Sequence, residues 1–337
     1  MYSNPPAKQT SLFDRLRSGS IWLLVIATTV ASTAPPRSRT VRLTYKTTVD
    51  NWPVAMNGAL WIPLPHDSPV QKITGLTIDC PFPYRLDTAQ YGNGMVYVRV
   101  TNPPRLGFTV TVQFTATRWE HFAQRLQLTG AAVELDKLDR TRWLQPDRLV
   151  PIDGKIGQWA RQVVDSVGAS TDRQKAKAIY DHIIATVKYD KTGTGWGRGD
   201  IYYACDARRG NCTDFHAIFI GYCRALGIPA RFAIGLSLPT DRSGGQLNGY
   251  HCWAEFYSSE DGWIPIDASE AAKNPAKRAY FFGTHDEHRI EFSVGRDLLL
   301  YPEQSQPLNY FIYPYAEADG KPVALPNPLV TYEDTGR

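Results

Sequence analysis

Residues 207–232 read ARRGNCTDFHAIFIGYCRALGIPARF, with a polar Gly-Asn-Cys-Thr-Asp set directly before an apolar run of helical period. Phe215, Ile218, Phe219, Tyr222 and Leu226 recur at steps of three and four, the stripe of an amphipathic helix. Asn211 is a strong N-cap residue, Gly227 suits the C-terminal end, and Pro229 lies just beyond it. Cys212 therefore takes the first helical position, where unpaired backbone N–H groups and the helix dipole favour a negative charge. A thiol in such a place can have a lowered pKa, as a nucleophile requires. A metal ligand, half of a disulfide and a small buried hydrophobe are the competing readings.

A nucleophilic cysteine needs a base, and the base needs a group to orient it. Downstream, RFAIGLSLP (231–239), GYHCWAEFYS (249–258) and GWIPIDAS (262–269) read as three strands. His251, Trp253 and Glu255 share one face of the second, while Trp263, Pro265 and Asp267 share one face of the third. If Ser258–Glu260 form the connecting loop, His251 stands directly opposite Asp267, with Cβ atoms about 5 Å apart. A five-residue loop makes them diagonal neighbours on that face, and loops of two or four residues separate them. The chain thus offers a helix-mouth cysteine, a strand histidine and a carboxylate one strand on. His216 is one turn from Cys212 and leans back toward it, but it is read, with Asn211 and Trp253, as support for Cys212, His251 and Asp267.

Upstream, VRLTYKTTV (41–49) and GFTVTVQFTATRW (107–119) alternate apolar and polar residues, and Pro and Gly punctuate the short runs between them. This predicts a β-sandwich-like domain over 38–140. The period then changes. Ile156, Trp159, Ala160, Val163, Val164 and Val167 mark one helix, and Ala176, Ile179, Ile183 and Val187 a second, capped by Ser170 or Thr171. Helices followed by an antiparallel sheet make an α+β arrangement. The expected organisation is a signal peptide or N-terminal anchor over 1–34, the β domain, a catalytic domain over 145–275 and a C-terminal β extension over 276–337 packed on the core.

Composition narrows the function classes. The chain has 337 residues, 43% of them hydrophobic and 21% charged, with a net charge of +4. That charge is small and dispersed, so a nucleic-acid partner is not expected. Lys8, Arg15 and Arg17 precede SIWLLVIATTVASTA (20–34), a short apolar run with a small-residue exit. Such a pattern is a secretory signal, cleaved after Ala31 or Ala34, or else an uncleaved anchor. The mature protein is accordingly expected in the periplasm or secreted. Cys80, Cys205, Cys212, Cys223 and Cys252 are odd in number, so at least one is unpaired or intermolecular. Cys252 is placed on the opposite strand face from His251, suited to the core or to a disulfide with Cys205 or Cys223. No Cys-x-x-Cys spacing or closely spaced His pair is present, so no bound metal and no cofactor are expected. KTGTGWGRGD (191–200) fails the phosphate-loop and dinucleotide patterns and reads as a surface loop or cleft rim. Asn211-Cys212-Thr213 matches the N-glycosylation sequon, but a glycan there would block the nucleophile.

With YACDARRGNC (203–212), these stretches resemble the transglutaminase-like superfamily, more narrowly its bacterial exported members of the cysteine-protease type. The resemblance covers about 145–270 and extends less specifically into LWIPLP (60–65) and YFFGTHDEHRIEFSVGRDLLL (280–300). It implies a papain-like, transglutaminase-like core of helices plus antiparallel sheet. It also implies Cys212 as nucleophile, His251 as general base and Asp267 as orienter, acting on peptide, isopeptide or glutamine carboxamide bonds through an acyl-thioester. Such enzymes hydrolyse the thioester or pass it to an amine, and some have lost activity. The Cys212 backbone N–H is one candidate for holding the oxyanion, with Trp196 or Tyr189 as a side-chain donor. The expected partner is a peptide or protein substrate, with the cell envelope as one source. A non-catalytic envelope module with a vestigial triad is the reading from a different class. Oligomeric state is not legible.

Overall fold

Strict alternation along residues 38–49 buries Val41, Leu43, Tyr45, Thr47 and Val49 and turns their neighbours outward. The same pattern along Phe108–Trp119 buries Phe108, Val110, Val112, Phe114 and Ala116. These two strands pair antiparallel through their full length. The computed structural model describes residues 35–53, 56–104, 107–123 and 135–336; the predicted leader, 1–34, lies outside them. Among the described residues, no helix is long and apolar enough to cross a membrane.

Two five-stranded antiparallel sheets form the β region. One runs Gly244–Leu247, Leu329–Gly336, Ser38–Val49, Phe108–Trp119, Gln71–Asp79 in spatial order. The other runs Lys321–Val323, Tyr315–Ala318, Gly58–Leu64, Gly94–Val100, Tyr84–Thr88. Their inward rows belong to one hydrophobic cluster, shared with the helical region. The C-terminal strands thus run inside sheets begun by the N-terminal ones. Arg39, 2% exposed, ties the two ends with an ion pair to Asp334 at 2.8 Å. Residues 36–337 accordingly cluster as one unit.

The helical region carries the site. Asp153 caps Gly154–Asp165, and Thr171 with Gln174 forms a capping box on Asp172–Thr186. Val167, expected on the first helix, lies beyond its end and is 67% exposed. The helix Cys212–Ala225 packs against these helices, Ile201–Ala207 and the strand His251–Ser258. It is not amphipathic in practice, because every residue from Cys212 to Arg224 is buried. Flanked by helices on one side and a sheet on the other, it must satisfy its polar residues internally. Arg224 does so on the Ala230 and Gln145 carbonyls and the Asp147 carboxylate. The sheet beside it is antiparallel, ordered Gly262–Ile266, His251–Ser258, Ala230–Ser237, Arg289–Val294. The α+β expectation, with an antiparallel sheet beside the helices and a β-rich N-terminal region, is met.

Candidate active site

Asn211 opens the central helix as its sequence predicts. Its Oδ1 accepts the Thr213 N–H at 2.9 Å, and Asp214 accepts the Asn211 N–H at 2.9 Å, a reciprocal capping box. Asp214 also accepts the N–H groups of Gly197 at 2.7 Å and Gly199 at 3.1 Å. The glycine-rich segment is therefore pinned to the mouth of the helix rather than left as a plain surface loop. Gly210 permits this arrangement, since a Cβ at that position would lie 2.2 Å from Asp214 Oδ2. Cys212 is the first helical residue and is 2% exposed.

His251 and Asp267 meet, but by a different register from the direct one. The loop is residues 259–261, with Ser258 paired to Gly262 and Ala254 to Ile266. Extending that register by one step puts Trp253, not His251, opposite Asp267. His251 is thus the diagonal neighbour on the shared face. Asp267 bridges the remaining gap because the chain leaves the strand there and Asp267 caps the helix Ala268–Lys273. His251 Nε2 lies 2.7 Å from Asp267 Oδ2. Asp267 Oδ1 accepts from Ser269 Oγ and the Glu270 N–H, both at 2.9 Å. With Nε2 committed to Asp267, the Nδ1 side of the ring is left for Cys212, with which His251 hydrogen-bonds.

Electrostatics divide the charges in the sense a thiolate–imidazolium pair needs. Burial opposes a charge on Cys212. Hydrogen bonds from the Cys252 thiol and His251, the His251 charge and the Cys252 backbone N–H outweigh it and hold Cys212 well below the ordinary thiol range. Burial likewise disfavours charged His251, but the Asp267 charge and hydrogen bond, with the Cys212 sulfur, raise it. Asp267 is fully buried; against that penalty, His251, Arg289 and His216 keep it well below the usual carboxylate range.

The other expected residues fall in distinct places. His216 is fully buried under the triad, with Nε2 3.7 Å from Asp267 Oδ1; burial lowers it to about 4, so it is neutral. Trp253 is fully buried, its ring 6.0 Å from that of His251. Tyr189 packs on Phe215, and its hydroxyl is raised first by burial and then by the nearby Cys212 charge. Trp196 donates its indole N–H to Gly193 O at 3.1 Å, within its own loop.

Sequence reasoning missed two residues, Arg289 and Tyr250. Arg289 donates from Nη1 to Asp267 Oδ2 at 3.1 Å and stands 5.1 Å from the Trp253 ring centre. Its one sequence signal is a charged residue inside a strand that is buried throughout. Tyr250, just before His251, accepts from Asn211 Nδ2 at 3.1 Å and donates to Gly197 O at 3.3 Å. Cys252 was expected to face the core or a disulfide. All five cysteines are free thiols, and Cys252 lies in the core, fully buried, with its Sγ 3.7 Å from His216 Nδ1. The strand face opposite His251 is the one the central helix covers, and Cys212 opens that helix. Among the described residues, no group of His, Cys, Asp and Glu is arranged to hold a metal ion.

Comparison with known proteins gives the following likenesses. Residues 158–268 match the model of the transglutaminase-like superfamily. An uncharacterised protein of Haemophilus influenzae is 24% identical over 303 residues, covering 78% of this chain and 81% of its own. The Bacillus subtilis protein YebA is 26% identical over 147 residues, 39% of this chain and 20% of its own. A candidate cysteine protease from Cytophaga hutchinsonii has a similar fold, with a TM-score of 0.60 at 19% identity over 89% of this chain and 92% of that one.

Proposed function

We propose, for a chain whose residues 158–268 belong to the transglutaminase-like superfamily, an exported thiol enzyme that cleaves or transfers at a peptide, isopeptide or glutamine carboxamide bond. The observation that carries this reading is the line Cys212–His251–Asp267, in which a helix-mouth sulfur faces an imidazole held at 2.7 Å by a buried carboxylate. The Cytophaga hutchinsonii likeness supports the fold on which such a line is built. The basic, apolar and small-residue pattern over 1–34 supports export.

In this reading the Cys212 thiolate attacks the substrate carbonyl and forms a tetrahedral oxyanion. The Cys212 backbone N–H, at the start of the helix, is one donor placed to stabilise it. His251 gives its proton to the leaving amine as the C–N bond breaks, leaving an acyl-thioester on Cys212. Water, or a lysine amine, then attacks the thioester; His251 takes the proton of the attacker, and the Cys212 thiolate departs. Asp267 keeps the imidazole in the tautomer and orientation both steps need, and stabilises its charged form. Hydrolysis is the preferred outcome.

The test is turnover of a peptide library by the purified protein beside a Cys212→Ala control, with a primary amine present. Free-acid product that disappears in the control is the expected result. Amine incorporation above free acid overturns hydrolysis in favour of transfer, and equal product in the control overturns the enzyme.

A further inference from the structure

The inward row of Phe108–Trp119 is apolar until its end, where Arg118 takes the next inward place and is 1% exposed. Among the described residues, none of its three guanidinium nitrogens has a hydrogen-bond partner. Burial works against its charge, yet a guanidinium does not deprotonate in a protein. A buried cation left without a partner is costly, so an acceptor must reach it. A ring of contacts shows what surrounds it. Gln71, its cross-strand partner, bonds the Glu291 backbone N–H at 2.8 Å and carbonyl at 2.9 Å. Two residues back on that strand, Arg289 stands 5.1 Å from the Trp253 ring centre. The Trp253 ring lies 5.7 Å from that of His285, and His285 lies 6.1 Å from its ladder partner His121. His121, three residues on from Arg118, closes the ring. Trp253, His285 and His121 are all buried. Trp253 Nε1 and both ring nitrogens of His121 also lack hydrogen-bond partners among the described residues. The bordering carboxylates are engaged: Glu255 with Arg231 at 2.5 Å, Glu291 with His66 at 3.5 Å, Asp286 with Arg289 at 3.3 Å. Glu255 Oε1 stays 3.7 Å from His121 Nδ1, beyond hydrogen-bond reach.

We propose that Arg118, Trp253 and His121 hold a single-atom anion, a halide such as chloride, in a closed site behind the sheet that carries His251. Guanidinium and indole N–H groups only donate. A water among them accepts two bonds and must then place two protons of its own, whereas a halide accepts from every donor and cancels the Arg118 charge. Arg118 supplies that charge, and Trp253 and a neutral His121 supply one N–H each. Side chains in near contact all round the ring border a space for one atom rather than for a phosphate or a carboxylate. The site backs on the pair His251 and Asp267, because Arg289 donates to Asp267 at 3.1 Å and the Trp253 ring lies 6.0 Å from that of His251. The anion takes no part in the acyl steps, so the inference stands apart from the reading of Cys212.

The experiment uses the full chain, exchanged from chloride into gluconate and titrated with chloride at constant ionic strength while its melting is followed. The melting temperature should rise and then level, by roughly 5 °C at about a hundredfold excess over the dissociation constant. Trp253→Phe keeps an aromatic ring but loses the N–H, and should need more chloride for the same rise. Arg118→Met should show no rise. Crystals grown in bromide give the direct reading, an anomalous peak within hydrogen-bond distance of Arg118 and Trp253. Phosphate or sulfate raising the melting temperature as far as chloride does overturns the single-atom assignment. A melting temperature indifferent to chloride, an unchanged titration in Trp253→Phe, or no bromide signal at Arg118 overturns the proposal and gives the acceptor role to water. Should Arg118→Met not fold, the Trp253→Phe titration and the bromide map decide.

Discussion

The arrangement of Cys212, His251 and Asp267, proposed as a triad, was approachable from sequence because each member sits where a local rule places it. Asn211 announces a helix start, so Cys212 is at its mouth, and the two-residue period of strands puts His251 and Asp267 on one face whether the register is direct or diagonal. Arg289 was not legible, because it comes from a strand three places in the sheet from the one leading into Asp267, and no spacing rule links 289 to 267. Its role can be tested. Arg289 and Asp267 are both buried, and removing one partner of such a pair costs about 3–5 kcal/mol. Arg289→Met is expected to lower the unfolding free energy by that order, read as a lower urea midpoint, and to shift the acid limb of Cys212 alkylation upward, because Asp267 then holds His251 less firmly. Arg289→Lys, which keeps the charge but loses the planar fork, should recover part of both; an unchanged limb in Arg289→Met contradicts the role. A second residue-scale expectation concerns His121, His216 and His285. All three are buried and lowered mainly by burial, the first two to about 4. The unfolded chain binds their protons near its ordinary value of about 6.5. Their contribution is fully present above that pH and is lost as pH falls toward about 4. The urea midpoint should therefore drop between about pH 7 and pH 5, and a midpoint flat across that window contradicts it.

At the scale of elements, the helix Cys212–Ala225 was placed correctly in sequence and misjudged in environment. A stripe of apolar residues on one face says that the face is buried. It cannot say that Asp214, His216 and Arg224 on the remainder are buried too, because their partners lie at 197, 267 and 147. The glycine-rich segment was underestimated for the same reason, since its anchor is the side chain of Asp214. Two substitutions probe the mouth of this helix. Asn211→Ala removes the cap and the hydrogen bond to Tyr250, and is expected to cost about 1 kcal/mol and to slow Cys212 alkylation. Gly210→Ala drives a Cβ against the Asp214 carboxylate and should destabilise more than Asn211→Ala in a thermal melt. If Gly210→Ala melts with the native protein, the close packing of that turn is contradicted.

At the scale of the whole molecule, alternation along 41–49 and 107–119 revealed the β character of the N-terminal region, while strand order escaped it. Strand partners are non-local, and nothing in TYEDTGR (331–337) or YAEAD (315–319) names residues 38–49 and 58–64 as their neighbours. The consequence is a chain whose helical region and its adjoining sheet depend on both ends. Leu329–Gly336 lies between Ser38–Val49 and Gly244–Leu247, the latter an excursion just before His251. Deleting 324–337 is expected to abolish soluble folded protein rather than trim an appendage. A deleted chain with native circular dichroism and melting contradicts that dependence.

The most direct test of the central claim is the rate of iodoacetamide alkylation at Cys212, followed by peptide mass spectrometry across pH. With an imidazole and a buried carboxylate behind the sulfur, Cys212 should react at about pH 6 far faster than in the denatured chain. His251→Ala should remove that advantage. Alkylation at that pH no faster than in the denatured chain, or unaffected by His251→Ala, would contradict an activated thiolate.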